Sequence, residues 1–321
     1  MKLKVLITRP LPPQVVEAAR AAFEVNERES HLPMDAGELR ASLRDFDMVL
    51  PTLGDNYSAD VFADVPEPRC RFLANFGMGY NHLDVAAARA AGIGVSNTPG
   101  AVTDATADIA AMLMLMSARR ASEGERMLRA GLWDGWHPVQ MLGLHVTGKT
   151  AGIVGMGRIG KAIARRCHHG FGMRIVFHNR SRVEDAGVPA EQLDSLHAVM
   201  AAADVVLVAV PGGPATHHLI DAAALAAMQP HAHLVNVSRG DVVDEAALID
   251  VLEAGAIGGA GLDVYEREPE VPERLRALDN AVLIPHLGTA ALEVRTQMGL
   301  MAVANLEAAA AGKVPPNLLQ G

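Results

Sequence analysis

The segment Gly155-Met156-Gly157-Arg158-Ile159-Gly160 constrains the fold of this chain more than any other stretch of its sequence. It directly follows the predicted strand Thr150–Val154 and opens a predicted helix that runs through Arg166. With this spacing, the first glycine permits a tight turn, the second lets the backbone approach a pyrophosphate, and the third lets the helix pack on the strand. The start of the helix offers free amides and a positive dipole end. We therefore predict a dinucleotide site formed by Gly155, Gly157, Arg158, Ile159 and Gly160.

The rest of the chain repeats a short β-branched run, a Gly or Pro, and an Ala- and Leu-rich helical stretch. This alternation is typical of α/β proteins with parallel sheets. Long helices are predicted at Thr103–Ala118 and Ala290–Ala311, and a capped one at Glu245–Ala254 between Asp244 and Gly255. Nine strands are predicted, at Lys4–Thr8, Asp47–Leu50, Arg71–Asn75, Thr150–Val154, Arg174–His178, Asp204–Val210, His233–Val237, Gly258–Asp263 and Ala281–Ile284.

The length of 321 residues favours two domains. Because the long helices flank the block of six later strands, they are natural places for the chain to pass between domains. We expect two doubly wound parallel-sheet domains, one formed by residues 1–98 with 288–321 and the other by residues 99–287. The fold class is therefore α/β.

Composition excludes several classes of function. The chain carries 28 basic and 37 acidic residues, a net charge of −9, so it lacks the basic surplus of a nucleic-acid-binding protein. Its longest apolar stretches, Ala110–Met116 and Val205–Pro211, are far too short to span a membrane. Two cysteines, Cys70 and Cys167, are too few for a disulfide framework and favour a cytoplasmic, reducing location.

The choice of dinucleotide depends on the end of the second strand of the predicted dinucleotide domain. NAD-binding proteins place an acidic residue about 20 positions after the glycine motif, but residues 156–183 contain no Asp or Glu. The strand ends instead in Asn179-Arg180-Ser181-Arg182, whose guanidinium groups would hold a 2′-phosphate. We therefore expect NADP(H) to be preferred, with NAD(H) possible. The alternative is that these arginines belong to an ordinary solvated loop.

Three residues with complementary chemistry follow the late strands: Arg239, Glu268 and His286. Ligands of open α/β sheets bind at the carboxyl ends of the strands. Reduction of a 2-oxo acid needs a cation for the carboxylate, an acid that protonates the carbonyl oxygen, and a carboxylate that favours the protonated acid. Taken singly, each residue is more often structural than catalytic, and it is their joint placement that points to catalysis.

These motifs, in this order, resemble the D-isomer-specific 2-hydroxyacid dehydrogenase family, and within it the glyoxylate/hydroxypyruvate reductase branch. The resemblance covers about residues 45–315 and includes the runs Asn75–Asp84, Asn97–Gly100 and Thr106–Asp108. It implies that residues 99–287 form a Rossmann cofactor domain. Residues 1–98 with 288–321 would form a flavodoxin-like substrate-binding domain, the lid.

The resemblance also implies roles for individual residues. Arg239 would bind the substrate carboxylate and carbonyl oxygen, and His286 would be the general acid. Glu268 would hydrogen-bond His286 and keep it protonated to higher pH. The other implied contacts are the backbone of Met78 and Gly79 with the substrate carboxylate, Leu53 in the substrate pocket, Thr106 with the cofactor phosphate, Asp263 with the nicotinamide carboxamide, and Pro211 and Val237 also with the cofactor.

Trp133 and Trp136 are the only tryptophans, in a W-x-x-W-x-P segment. Ordinary core or interface packing is one interpretation. In the reductase branch a similar segment lies at the dimer contact and one Trp enters the neighbour's substrate pocket. The resemblance therefore implies a homodimer in which Trp136 contacts substrate.

Together these observations predict an NADPH-preferring reductase that converts glyoxylate to glycolate and hydroxypyruvate to D-glycerate. The alternatives are a dehydrogenase for a bulkier acid such as 2-ketogluconate, and a non-catalytic dinucleotide sensor. No metal site is expected, because the adjacent pairs His168-His169 and His217-His218 should point to different sides and the His231-x-His233 pair lacks a third ligand.

Overall fold

The computed structural model describes residues 2–320. The chain divides into two compact units, Met1–Val102 with Ala290–Gly321, and Thr103–Thr289. The sequence-based boundaries at 98/99 and 287/288 differ from these by a few residues. The assignment of substrate binding to the first unit stays a prediction.

The elements alternate between strand and helix. Residues 2–102 form β1 (Lys4–Ile7), α1 (Pro13–Ala22), β2 (Glu24–Glu27), α2 (Ala36–Asp45), β3 (Met48–Leu50), α3 (Ala59–Ala63), β4 (Phe72–Ala74), α4 (Val85–Ala90) and β5 (Gly94–Ser96). Residues 103–289 form α5 (Thr103–Ala118), α6 (Ala121–Arg129), β6 (Thr150–Val154), α7 (Arg158–Arg165), β7 (Arg174–His178), β8 (Ala190–Gln192), α8 (Leu196–Ala202), β9 (Val205–Val208), α9 (Ala222–Ala226), β10 (His233–Asn236), α10 (Glu245–Glu253), β11 (Gly259–Leu262), α11 (Glu273–Arg276) and β12 (Ala281–Leu283). The chain ends with α12 (Leu292–Ala310).

The first unit contains a parallel sheet of five strands within the described residues, in the order β2-β1-β3-β4-β5. This is the flavodoxin-like order. Alternate side chains face opposite layers, since Val5 and Ile7 pack with α1 and α12 while Val49 and Leu73 pack with α2 and α3. Helices on both faces explain why the central strands are apolar along their whole length.

The second unit contains a parallel sheet with the order β12-β11-β10-β9-β6-β7-β8 in the part of the chain that the structure describes. Six of these strands follow the Rossmann order, and β12 extends the sheet by one. The strand β6 pairs with β7 on one side and β9 on the other, so the direction of winding reverses between β6 and β9. Ligands of such sheets bind beyond the carboxyl ends of the strands at this reversal, where residues 155–160 begin.

The two sheet orders confirm the predicted α/β fold class with two doubly wound parallel-sheet domains. Prediction missed β2, β5 and β8. All three lie at sheet edges, and β2 and β8 are largely exposed, so they lack the apolar pattern that marks a strand in sequence.

None of the helices formed by residues 2–320 has the length and apolarity that crossing a bilayer requires.

Candidate active site

The glycine loop lies at the end of β6 in the second unit. Gly155 has φ +94°, a left-handed conformation that favours glycine, and a Cβ there would lie 2.8 Å from the carbonyl oxygen of Ala209. A Cβ at Gly160 would collide with the carbonyl oxygen of Gly155. These two glycines therefore permit the turn and the close packing of α7 on the sheet.

Gly157 differs from Gly155 and Gly160, because the position that a Cβ would take at Gly157 is open space. A Cβ added there would meet no atom of the described chain within 4 Å. Gly157 is also the N-cap of α7 and provides no side-chain cap, so the first amides of the helix have no partner inside it. Free amides beside an open backbone surface fit a pyrophosphate group, with Arg158 exposed and Ile159 half-buried next to it.

The loop after β7 is held by Asn179. Its Nδ2 donates to the carbonyl oxygen of Ser181 at 2.9 Å and its Oδ1 accepts from the Met156 amide at 3.3 Å, which ties this loop to the glycine loop. Arg180, Ser181 and Arg182 are exposed, and neither guanidinium forms an ion pair among residues 2–320. Arg180 and Arg182, two cations without an ion-pair partner in the described chain, therefore belong to the loop that Asn179 joins to the glycine loop. A 2′-phosphate would require such cations.

Arg239 follows β10 on a turn that is hydrogen-bonded at both ends. Asn236 Nδ2 donates to the carbonyl oxygen of Arg239 at 2.9 Å, and the Ser238 hydroxyl donates to Val210. The Arg239 guanidinium donates to the carbonyl oxygen of Ser238 at 2.8 Å and forms no ion pair in the described part of the chain. Burial lowers the pKa of Arg239, so an anion arriving here would meet a poorly solvated cation.

Glu268 and His286 form a hydrogen-bonded pair. His286 Nδ1 lies 2.8 Å from Glu268 Oε2, and each side chain is 30% exposed. Burial acts to raise the pKa of Glu268. The hydrogen bonds from His286 and the Tyr265 amide, with the Arg239 charge, outweigh it and hold that pKa below its usual value. Because an ionised carboxylate only accepts, Nδ1 carries the proton toward Glu268 and Nε2 is left to face a ligand.

The backbone around His286 is fixed by Asp263. His286 has φ +52°, and its amide donates to the carbonyl oxygen of Asp263 at 2.9 Å. The buried Asp263 carboxylate accepts from the amides of Leu287 and Gly288. Since both carboxylate oxygens already accept hydrogen bonds, Asp263 braces the His286 turn, and its contact with a nicotinamide carboxamide stays a prediction.

The other predicted cofactor residues lie at the same sheet edge or next to it. Thr106 is buried on α5 and donates to the carbonyl oxygen of Gly288 at 3.3 Å. Pro211 is exposed after β9, and Val237 is buried directly after β10. Their contacts with cofactor also stay predictions.

In the first unit, the loop after β4 presents two free amides. Asn75 Nδ2 donates to the carbonyl oxygens of Gly77 and Gly79 at 3.0 Å each, and Asn97 Nδ2 donates to that of Met78 at 2.8 Å. The amides of Met78 and Gly79 donate no hydrogen bond within residues 2–320. The loop therefore turns its carbonyls inward and leaves these two donors for an anion. The roles of these two asparagines were not predicted from the sequence, because amide-to-carbonyl bonds within a loop leave no periodic signal.

The predicted pocket residue Leu53 lies on the turn after β3 and is partly exposed. Gly54 follows with φ +97°, and the buried Asp55 carboxylate accepts from the amides of Thr52 and Met34. Asp55 was also missed, and it fixes the turn that presents Leu53.

The segment around the tryptophans is exposed. Trp136 is 79% and Trp133 50% accessible, and neither belongs to a helix or strand. They belong to a run of exposed apolar side chains, which also includes Leu128, Leu132, Val139 and Leu142. Trp136 therefore does not pack in the core of this chain, whereas the interface packing that the sequence also allowed stays a prediction.

The expectation that adjacent histidines point apart is also wrong. The rings of His217 and His218 stack with centroids 4.0 Å apart, and those of His168 and His169 meet edge to face at 4.9 Å. A metal site was not expected at these pairs because their side chains should have pointed to different sides, and that reason does not hold.

Known proteins match the whole chain. Residues 111–288 match the family model described as "D-isomer specific 2-hydroxyacid dehydrogenase, NAD binding domain". The glyoxylate reductases of Thermococcus onnurineus and Pyrococcus furiosus are 42% and 41% identical to it, each over 99% of this chain and 96% of the relative. The solved structure of an NADPH-dependent glyoxylate/hydroxypyruvate reductase from Sinorhizobium meliloti, in complex with NADP and malonate, aligns with a TM-score of 0.88 and 36% identity over 99% of this chain and 97% of that one.

The fold, the glycine loop and these matches define an NAD(P)-dependent oxidoreductase. The chain belongs to the D-isomer-specific 2-hydroxyacid dehydrogenase family, as the resemblance predicted.

The glycine loop yields a contrast between two substitutions. Gly157→Ala places a methyl group where a pyrophosphate would approach, so dinucleotide affinity should fall about tenfold or more while the fold is retained. Gly160→Ala forces α7 away from Gly155 and should cost about 1–3 kcal/mol of stability. Thermal unfolding without ligand and titration with dinucleotide separate the two effects. Unchanged affinity in Gly157→Ala would contradict the pyrophosphate assignment.

Proposed function

We propose that this protein is an NADPH-preferring reductase of small 2-oxo acids, which converts glyoxylate to glycolate and hydroxypyruvate to D-glycerate. The observation that carries the proposal is the hydrogen bond from His286 to Glu268, at the same sheet edge as the unpaired cation Arg239. The Thermococcus and Pyrococcus relatives, both glyoxylate reductases, support the choice of acid.

Substrate binding begins with charge. A 2-oxo acid carries a carboxylate, and Arg239 is a guanidinium without an ion-pair partner among the described residues. Hydrogen bonds to Arg239 also polarise the carbonyl group of the substrate. The free amides of Met78 and Gly79 are a second set of donors suited to a carboxylate, and Leu53 is the apolar contact predicted beside them.

The bound dinucleotide supplies the hydride that reduces the carbonyl carbon. Negative charge then develops on the carbonyl oxygen, and His286 delivers a proton to it from Nε2. Glu268 holds Nδ1, so it fixes the orientation of the ring and stabilises its charged form until the proton leaves. In the reverse direction the same nitrogen accepts the proton of the hydroxyl group.

Preference for NADPH follows from the loop after β7. Arg180 and Arg182 are exposed, unpaired within residues 2–320, and anchored through Asn179 next to the glycine loop. The Ser181 hydroxyl adds a donor for a phosphate oxygen. NADH binding remains compatible with the site, because these residues act only on the 2′-phosphate.

Arg180→Ala should weaken NADPH and leave NADH nearly unaffected. Loss of one charged hydrogen bond to phosphate costs about 1.5–3 kcal/mol, so KM for NADPH should rise about 10- to 100-fold. Arg174→Ala is the matched control, because Arg174 lies at the other end of β7 and its guanidinium contacts Glu191. Equal rises in KM for both cofactors would contradict the assignment.

Glu268→Gln should move the alkaline limb of the kcat/KM profile for reduction to lower pH. The carboxylate stabilises protonated His286, and glutamine removes that charge while it keeps the shape of the side chain. Glu270→Gln, an exposed neighbour, is the control. Rates measured across pH with saturating NADPH test this, and an unmoved limb in Glu268→Gln would refute the coupling.

We also propose a homodimer. The exposed apolar run from Leu128 to Leu142, with Trp136 at 79% accessibility, is a surface that a partner copy would cover. By the family resemblance Trp136 would enter the partner's substrate pocket. A cytoplasmic location is proposed as well, supported by Cys70 and Cys167, which are buried free thiols.

Leu132→Glu should convert the dimer to a monomer, since a carboxylate would be buried in the apolar contact. Light scattering after size exclusion should give twice 33.9 kDa for the wild type and 33.9 kDa for the variant. Leu32→Glu is the control, because Leu32 is equally exposed outside this run. A wild-type monomer, or a dimer in Leu132→Glu, would contradict the interface.

A further inference from the structure

A cluster of nitrogen and oxygen donors lies between two loops of the second unit. His217 and His218 belong to the segment between β9 and α9, and Glu266 belongs to the loop between β11 and α11. Potential ligand atoms from all three side chains lie within 4.8 Å of one another. It is the only group of three such side chains found among residues 2–320.

The two imidazoles face the same way because of the backbone at His218. Sequence neighbours in an extended segment point to opposite sides, but His218 has φ +48°, an uncommon left-handed conformation. Its amide donates to the carbonyl oxygen of Asp241 at 2.7 Å, and Ile220 donates to Val242 at 3.0 Å, which holds the segment in place. The rings consequently stack at 4.0 Å with 24° between their planes.

The separation between His218 and Glu266 fits metal ligands better than a direct hydrogen bond. His218 Nε2 lies 3.4 Å from Glu266 Oε1, and this buried nitrogen has no hydrogen-bond partner within the described chain. In a tetrahedral zinc site with bonds of about 2.0–2.1 Å, two donor atoms lie about 3.3–3.4 Å apart. The observed distance between these two atoms is therefore the one expected for two ligands of the same zinc ion.

We propose that His217, His218 and Glu266 form a binding site for a divalent cation of the zinc type. Two imidazoles and one carboxylate are a donor set that zinc accepts, with water in the fourth position. His217 is exposed, so it is the ligand that would complete the site when an ion enters from solvent.

The surroundings of the cluster also favour a cation. The Glu266 amide donates to Glu245 Oε2 at 3.3 Å, so a second carboxylate lies next to Glu266. Arg267 is the opposing charge on the same loop, and it is exposed to solvent, which weakens its repulsion.

Binding would fasten the segment that follows β9 to the loop that carries Glu268, two residues after Glu266. The ion would therefore cross-link two loops at the carboxyl ends of the strands. This proposal does not depend on which acid the enzyme reduces.

A simple ion pair between His218 and Glu266 is the competing interpretation. Such a pair needs no third ligand, so removal of His217 would leave it intact. His217→Ala therefore distinguishes the two interpretations, and it removes an exposed side chain that does not belong to the core.

The test is zinc binding to the full chain after chelator treatment, by calorimetry, with the visible spectrum of the cobalt(II) form as the second readout. We expect one ion per chain, a tetrahedral cobalt spectrum and a higher unfolding midpoint with zinc. Affinity should fall about tenfold or more in His217→Ala and in Glu266→Gln. His169→Ala is the control, because His168 and His169 belong to no such group of three ligands among residues 2–320.

Three results would overturn the proposal. They are no saturable zinc binding at micromolar concentration, affinity unchanged by His217→Ala or Glu266→Gln, and an equal loss of affinity in His169→Ala. Unfolding midpoints of the metal-free variants show whether each one is folded.

Discussion

The hydrogen bond between His286 Nδ1 and Glu268 Oε2 is the interaction on which the rest of the site depends. It joins the loops that follow β11 and β12, and it leaves one imidazole nitrogen free for the substrate. Tyr265 supports it twice, because its amide donates to Glu268 at 3.1 Å and its hydroxyl donates to the carbonyl oxygen of Ile284 at 3.0 Å. The Tyr265 hydrogen bonds therefore tie the loop that carries Glu268 to the end of the strand that precedes His286.

A second constraint brings Arg239 to the same place. Gly240 follows it, and any Cβ at Gly240 would overlap the backbone of Tyr265 and Glu266. Because only glycine fits there, the turn of Arg239 packs directly on the loop that carries Glu268. The cation, the acid and the supporting carboxylate come from three successive strand ends, which the parallel sheet aligns at one edge.

The sequence was enough to predict the central strands and the long helices, because periodicity and glycine spacing report burial and tight turns. It also placed Arg239, Glu268 and His286 after the late strands, while their roles stay predictions. It missed the edge strands β2, β5 and β8, of which β2 and β8 are largely exposed and lack the apolar pattern of a buried strand. It also missed Asn75, Asn97 and Asp55, which act through hydrogen bonds to loop backbone. The stacking of His217 on His218 required the positive φ of His218, and no sequence pattern indicated it.

The most direct test of the account is the initial rate of NADPH oxidation with glyoxylate, hydroxypyruvate, pyruvate and 2-ketogluconate, for the wild type and His286→Asn. The account predicts rapid turnover of glyoxylate and hydroxypyruvate, and a loss of about 100-fold or more in the variant with NADPH still bound. Faster turnover of 2-ketogluconate would contradict the proposed substrate. Full activity in His286→Asn, or NADPH binding without turnover of any acid, would contradict the mechanism.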